Sequence, residues 1–268
     1  MDDDRSRVSS PFRRFVAAEF RKIFAFRMAQ YSYAFIFATT YLYMTYVYYV
    51  EELPKHLSVT SAYAILPLLF FATWKSLLLH MFVVAFSVHC VTVESQYGMI
   101  RVVAAQPLTR SEYVFGKYLA ISAHVALIAG VYLASLAFWS VAYGDSLGVT
   151  AEHFGALARF SLRIVLLMIG VAWISVSIAL LCRTQMSALV IAGISFMTLG
   201  LLTTYRAQTL GQYHFVRHFM APLGEVPMPY RFEFPWYPLA TFLWVTLATC
   251  AAFLLPALFH FHRRDITE

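Results

Sequence analysis

Charged residues are scarce in this sequence. Asp, Glu, Lys and Arg make up 13% of its 268 residues, whereas hydrophobic residues make up 60%. A soluble globular domain carries about 25% charged residues. The composition therefore excludes an ordinary soluble domain and predicts an all-α membrane protein that crosses the bilayer several times.

Motifs for metal, redox and catalytic chemistry are also missing. The three cysteines, Cys90, Cys182 and Cys250, stand far apart without a Cys-x-x-Cys spacing, so they indicate core residues rather than a zinc site or a redox pair. Gly116 and Lys117 lack the preceding glycine of an ATP-binding GxxxxGK[ST] loop. GxSxG, HExxH and paired carboxylates are absent, and the predicted spans contain no Asp or Glu for a proton relay. The chain is therefore not predicted to be an enzyme.

The net charge is +6, yet no basic run with interleaved aromatic residues stands outside the apolar segments. Nucleic acid is therefore not predicted as a partner. Cytoplasmic loops that meet anionic lipid explain the positive charge better.

An amphipathic helix is predicted over residues 11–27, after a flexible cytoplasmic tail at 1–10. Ser10 and Pro11 suit the N-cap and first position of a helix. Apolar residues follow at helical spacing, which is typical of a helix anchored to a lipid surface. Glu19 falls within this apolar stripe, where a charge is costly without a partner, so we expect it to be paired.

Six apolar segments are each long enough to cross a bilayer, which takes roughly 20 residues of helix. They cover residues 28–50, 71–93, 118–143, 164–182, 186–205 and 237–261. The polar, proline-containing stretch 206–236 is predicted to be an outer loop, and 262–268 a cytoplasmic tail. With both termini cytoplasmic, 13 Lys and Arg residues lie inside and seven outside, which favours this orientation.

Several polar side chains fall within the predicted spans. Tyr41 and Tyr48 belong to a crowd of hydroxyl groups in the outer half of the first span, His80 lies in the second, and Ser195 lies in the fifth. They are candidates for a polar translocation route between subunits, or for hydrogen-bonding partners between packed helices.

The histidines offer a different chemistry. His80 and His89 lie in the second span, and His124 reaches a depth similar to that of His89 if the second and third spans are antiparallel. Two facing histidines can hold haem, although single intramembrane histidines bonded to neighbours are commoner. In the outer loop, His214 and His218 share a helix face, but two histidines without a third ligand are a weak metal signal.

The stretch 94–117 is the most strongly patterned polar segment, and it lies between the second and third spans. Gly98 permits a break in the helix that carries Glu94, and Pro107 ends the short apolar run 99–106. We therefore predict a helix, a bend, a short helix and a sharp turn, in that order.

A further helix is predicted to start after this turn, since Thr109 and Glu112 have the spacing of a capping box. Arg101, Arg110 and Lys117 make the segment basic, and basic loops accumulate on the cytoplasmic side of a membrane. Composition alone is also compatible with an ordinary basic loop.

The spacing of Glu94, Gly98, Pro107, Arg110 and Lys117 resembles the loop between the second and third spans of type-2 ATP-binding-cassette (ABC) exporter permeases. In that family the loop is a coupling helix that docks on a separate ATPase subunit. The resemblance implies that ATP and Mg²⁺ bind to that partner and that this chain has no cofactor of its own.

The predicted amphipathic helix also resembles the family's elbow helix, at Glu19, Lys22 and Arg27. We expect Glu94 to pair with Arg27 or Lys22 and so tie the loop to the elbow. The resemblance further implies a homodimer, or a dimer with a related permease, two ATPase subunits, a location in the inner membrane and a route lined largely by the second and fifth spans.

Two other functions remain open on the sequence. A membrane-bound haem or redox protein would use His80, His89 and His124. A non-transporting membrane assembly subunit would use the polar outer loop as a docking surface. The substrate is not predicted, because spans without charged residues suit lipids, drugs, peptides and hydrophobic antibiotics alike.

Overall fold

The computed structural model describes residues 11–50, 78–96, 108–143, 151–182, 184–205 and 239–263. These residues form seven α-helices and no β-strand, which confirms the predicted all-α architecture for this part of the chain. The helices are α1 Pro11–Ala25, α2 Arg27–Val50, α3 Leu78–Gln96, α4 Arg110–Tyr143, α5 Ala151–Leu181, α6 Gln185–Tyr205 and α7 Leu239–Arg263.

Three helices, α2, α6 and α7, begin and end within two residues of the corresponding predicted spans. By contrast, α4 and α5 begin well before residues 118 and 164, where the sequence places the start of the third and fourth spans. The apolar pattern marks the part of a helix that suits the bilayer, whereas backbone hydrogen bonding continues through the polar turns beyond it.

Several predicted elements lie outside the described residues. They include the tail 1–10, the beginning of the second span, the short helix 99–106, the outer loop 206–236 with its two histidines, and most of the C-terminal tail. Of the predicted functional residues, Gly98, Arg101 and Pro107 also lie there.

Two described segments are long and apolar enough to cross a membrane by length and composition, Arg110–Ser135 and Leu243–Arg263. Three further apolar segments are shorter: His80–Glu94, Val165–Leu181 and Gln185–Ser195. The count of six spans stays a prediction.

Helix α5 lies at the centre of the bundle, because it packs against α3, α4, α6 and α7. Its buried face consists mainly of apolar and small residues, among them Leu167, Met168, Val171, Ala172 and Ile174. On the other side of α4 lie α1 and α2. The described helices therefore form layers around the α4–α5 pair.

Two side-chain hydrogen bonds fix the register of α4 against α5. Tyr118 Oη lies 2.6 Å from Ser177 Oγ, and Trp173 Nε1 donates to Ser122 Oγ at 2.7 Å. Both serine hydroxyls also donate to backbone carbonyls one turn earlier on their own helices. Because each helix contributes two residues four apart, sliding by one turn would break both side-chain bonds.

Small residues bring α6 close to its neighbours. Ala188 and Ala192 are fully buried, and small side chains at these positions let neighbouring helices approach closely. Gly193 adds a second close approach, since a Cβ atom there would lie 3.6 Å from the end of the Met81 side chain on α3.

Helix α1, the predicted elbow helix, packs against α4 and α2. Its buried residues, Phe15, Glu19 and Ile23, recur every four positions and lie on one face. The helix ends two residues earlier than predicted, and Arg27 begins α2. The most deeply buried face of this amphipathic helix therefore lies against protein.

Glycine at position 116 permits the close approach of α1 to α4. A Cβ atom at Gly116 would lie 2.5 Å from Phe15 Cε1 and 2.7 Å from Phe15 Cδ1. The Phe15 ring is itself buried and lies 5.7 Å from the Tyr113 ring, so it has little room to move.

Replacing Gly116 by Ala should therefore loosen α1, since overpacking of this kind costs about 1–3 kcal/mol. The matched control is Gly130→Ala on the same helix, where nothing lies within 4 Å of the Cβ position. Alanine's higher helix propensity should there leave stability unchanged or raise it by up to ~1 kcal/mol. Thermal unfolding in detergent and the rate of tryptic cleavage at Arg21 measure the difference. Identical behaviour of the two variants would contradict the contact.

Candidate functional site

Four charged side chains meet where α1, α3 and α4 come together, and we call them the charge cluster: Glu19, Lys22, Glu94 and Lys117. Lys117 Nζ contacts Glu19 Oε2 and Glu94 Oε1. Lys22 Nζ also contacts Glu94 Oε1 and lies 3.7 Å from Glu19 Oε1. With two carboxylates and two ammonium groups, the cluster is formally neutral.

The charge cluster contains residues from both sides of the segment 97–107. Glu94 lies two residues before the end of α3, and Lys117 lies in the second turn of α4. The two helices flank the segment 97–107, and Glu19 and Lys22 belong to the elbow helix. The cluster thus ties both flanks of that segment to α1.

Tyr113 completes the cluster, and the sequence did not predict its role. Its hydroxyl donates to Glu94 Oε2 at 2.6 Å, while the lysines contact the other oxygen of the same carboxylate. Tyr113 precedes Lys117 by four residues and therefore lies on the same face of α4. That spacing is the signal in the sequence that points to it.

Burial makes these contacts strong constraints. Glu94 is 1% exposed and Lys117 is 3% exposed, so both charges are removed from water. Burial lowers the pKa of Lys22 from its ordinary value of 10.5, the nearby positive charge of Lys117 lowers it further, and Glu19 raises it. A buried charge without its partner is strongly unfavourable.

Two predictions about these residues are confirmed. Glu19 has the partner that its position in the apolar stripe requires, namely Lys117. Glu94 pairs with the elbow through Lys22, one of the two predicted partners, whereas Arg27 is exposed.

The predicted capping box is also confirmed at the start of α4. The backbone N–H and the hydroxyl of Thr109 donate to Glu112 Oε2 at 2.8 and 2.9 Å. The backbone N–H of Glu112 in turn donates to Thr109 Oγ1 at 3.2 Å. These bonds satisfy N–H groups that have no partner within the helix.

Arg110 contacts the opposite end of the described chain. Its Nη1 donates to the backbone carbonyl oxygens of Phe261 at 3.2 Å and His262 at 2.8 Å. Ser111 Oγ lies 3.3 Å from His262 Nε2, and the rings of Tyr113 and Phe261 stack with centroids 5.7 Å apart. The first turn of α4 is therefore attached to the last turn of α7.

Two histidines of the predicted spans, His124 and His89, are engaged in packing. His124 Nδ1 lies 2.7 Å from the Tyr33 hydroxyl, and its ring stacks on Phe86 at a centroid distance of 4.2 Å. His89 Nδ1 accepts from Gln185 at the start of α6 at 3.1 Å. The two rings thus have different partners on different helices, an arrangement that favours helix packing over a shared haem.

Metal ligands do not gather in the described ranges, where no group of three or more His, Cys, Asp and Glu side chains is placed to hold an ion. His80 is buried at the beginning of α3. The histidines at 214 and 218 lie outside these ranges, so their metal binding stays a prediction.

The other residues proposed for a translocation route lie on three helices. Tyr41 on α2 is partly buried, and the centroid of its ring lies 6.0 Å from that of Phe138. Ser195 on α6 is partly exposed, whereas His80 on α3 is buried. Tyr48 belongs to α2. Their role in a route stays a prediction.

Lys117→Met should destabilise the chain by roughly 3–5 kcal/mol, because it leaves two buried carboxylates to share Lys22. Adding Glu19→Gln restores the charge balance and should recover a clear part of this loss. A double-mutant cycle on unfolding in detergent measures the coupling. Arg27→Met, which removes an exposed charge, is the control and should change stability little. Strictly additive effects of the two cluster substitutions would contradict the pairing.

Comparison with known proteins gives the family. No curated protein matches this chain. The family model described as ABC-2 family transporter protein matches residues 16–266, which include the charge cluster and nearly all of the described helices. The family, together with the apolar helices, makes this a membrane protein. The chain therefore belongs to the ABC-2 family transporter proteins, as a permease subunit of an ABC transporter.

Proposed function

We propose that this permease subunit exports its substrate with energy from ATP hydrolysis on a separate ATPase, and that segment 94–117 is the element that couples the two. The observation that carries the proposal is the charge cluster. It joins the elbow helix to both flanks of the segment, through Glu94 before it and Lys117 after it.

The cluster suits the transmission of force. A load applied between residues 97 and 107 reaches α3 and α4. Helix α4 is attached to α1 by a buried ionic contact, and α3 by a partly buried one. Partial separation of these helices would leave buried charges without their partners, which costs several kcal/mol. The three helices should therefore move together when the segment moves.

The ATPase partner follows from the family and the missing nucleotide loop. Permeases of this family work with an ABC ATPase subunit. Because this chain lacks the GxxxxGK[ST] loop, ATP and Mg²⁺ are proposed to bind to that partner. We further propose two ATPase copies, a homodimer or a dimer with a related permease, and a location in the inner membrane with cytoplasmic termini.

Within the segment, charge and geometry are proposed to have separate roles. Arg101 offers charge-assisted hydrogen bonds to acidic groups on the ATPase. Pro107 stops the short predicted helix and so sets its position relative to α4.

Arg101→Glu should therefore weaken binding of the ATPase, because it replaces an attraction by repulsion between like charges. Pro107→Ala should leave assembly largely intact and lower ATP hydrolysis in the complex, since the predicted helix could then run on. Co-purification in detergent and hydrolysis rates in lipid measure the two effects. The matched control is Arg206→Glu, the same charge reversal in the predicted outer loop, which should change neither.

The chain purified without its partner should not hydrolyse ATP. Hydrolysis by the chain alone would remove the basis of the proposal. Normal assembly and normal hydrolysis for both segment variants would show that 94–117 is not the coupling element.

The proposed orientation has its own test. Single cysteines placed at Ser95 and at Gln212, in a chain without Cys90, Cys182 and Cys250, should react with an impermeant thiol reagent from opposite sides of the membrane. Ser95 lies beside Glu94 on the proposed cytoplasmic side, and Gln212 lies in the predicted outer loop. Labelling of both from the same side would mean that the number of spans between them is even.

A further inference from the structure

We propose that Arg110 is a positioning residue that fastens the cytoplasmic end of α7 to the coupling segment, so that the sixth predicted span moves with the segment. The inference rests on the proposed coupling function and extends it to a helix outside the charge cluster. Its basis is the contact of the Arg110 guanidinium with the carbonyl oxygens of Phe261 and His262.

The two carbonyl groups lie in the last described turn of α7, whose described residues are Leu239–Arg263. The partial negative charge at a helix C-terminus attracts a cation. Arg110 therefore brings a positive charge from another helix to the last described turn of α7.

The position of Arg110 in its own helix supports this role. It is the first residue of α4, where the helix dipole disfavours a positive side chain. The capping box of Thr109 and Glu112 stabilises the start of α4 without it. The hydrogen bonds to Phe261 and His262 give an arginine at this position a role in attaching α7.

Two further contacts reinforce the attachment. Ser111 Oγ meets His262 Nε2, and the Tyr113 ring stacks on Phe261. Since the Tyr113 hydroxyl also donates to Glu94, one side chain connects the charge cluster with α7. The first turn of α4 is therefore a junction between the elbow, α3 and the last span.

The test measures whether α7 and α4 keep the same distance from each other when the complex changes state. Spin labels at Leu119→Cys on α4 and Leu247→Cys on α7, both exposed positions, report the distance between the helices in a chain without its native cysteines. Labelled chains are diluted with unlabelled ones, so that distances within one subunit dominate. The complex with the ATPase is measured in nanodiscs without nucleotide and after trapping with ATP, Mg²⁺ and vanadate.

With Arg110 intact, we expect one narrow distance distribution that is the same in both states. Arg110→Met should broaden this distribution. The mean distance between the labels should then differ between the two states by about 1–2 Å or more, the scale of helix shifts in switching proteins. Hydrolysis in the complex should also fall. Arg110→Lys keeps a donor and a charge and should restore most of both signals. Arg263→Met, which removes a charge from the same turn of α7 without affecting α4, should behave as the unmodified chain.

Equal distances for Arg110→Met, Arg263→Met and the unmodified chain in both states would overturn the inference. A measurement on the permease alone tests the attachment of α7 independently of the proposed coupling function. If the unmodified chain fails to bind the ATPase, the coupling proposal fails, yet broadening by Arg110→Met without any partner still supports the attachment of α7. If Arg110→Met neither broadens the distance distribution in the permease alone nor lowers hydrolysis in the complex, the attachment of α7 by Arg110 is contradicted.

Discussion

The arrangement of α1, α3 and α4 depends on the need of three buried charges and the half-buried Lys22 for one another. Glu94 and Lys117 are removed from water, and each is stable there only while its partners stay within contact. Three helices far apart in sequence contribute to this balance. The elbow, the end of α3 and the start of α4 are therefore placed jointly, because the displacement of one leaves a charge of another unpaired.

The interior of the bundle is held by weaker and more adaptable contacts. Neutral hydrogen bonds join Tyr118 and Ser122 to α5, and small residues bring α6 close to α3 and α5. A neutral hydrogen bond contributes about 1 kcal/mol, much less than the loss of a buried ionic partner. Motion that enters at the charge cluster would thus be transmitted through a rigid junction and accommodated among the helices beyond it.

Local patterns predicted the parts of this site that depend on nearby residues. The capping box at Thr109, the elbow helix and the need of Glu19 for a partner all follow from spacing within one helix. The attachment of Arg110 to His262 joins residues 152 positions apart and leaves no periodic trace in either helix. The starts of α4 and α5 were harder to predict for a related reason. The apolar pattern marks only the part of a helix that suits a bilayer, whereas α4 and α5 begin before it.

Stability alone does not account for a charged junction at this place. Well-packed apolar side chains in place of a buried ion pair are often neutral or stabilising, whereas the loss of a single partner is costly. Apolar side chains would hold α1, α3 and α4 together in many registers, since their attraction is not directional. The carboxylate of Glu94 accepts from Lys22, Lys117 and Tyr113 only when all three helices have one relative position. We therefore infer that the cluster defines a register, which is the property that a junction needs if it is to pass a displacement of a few ångströms from one chain to another.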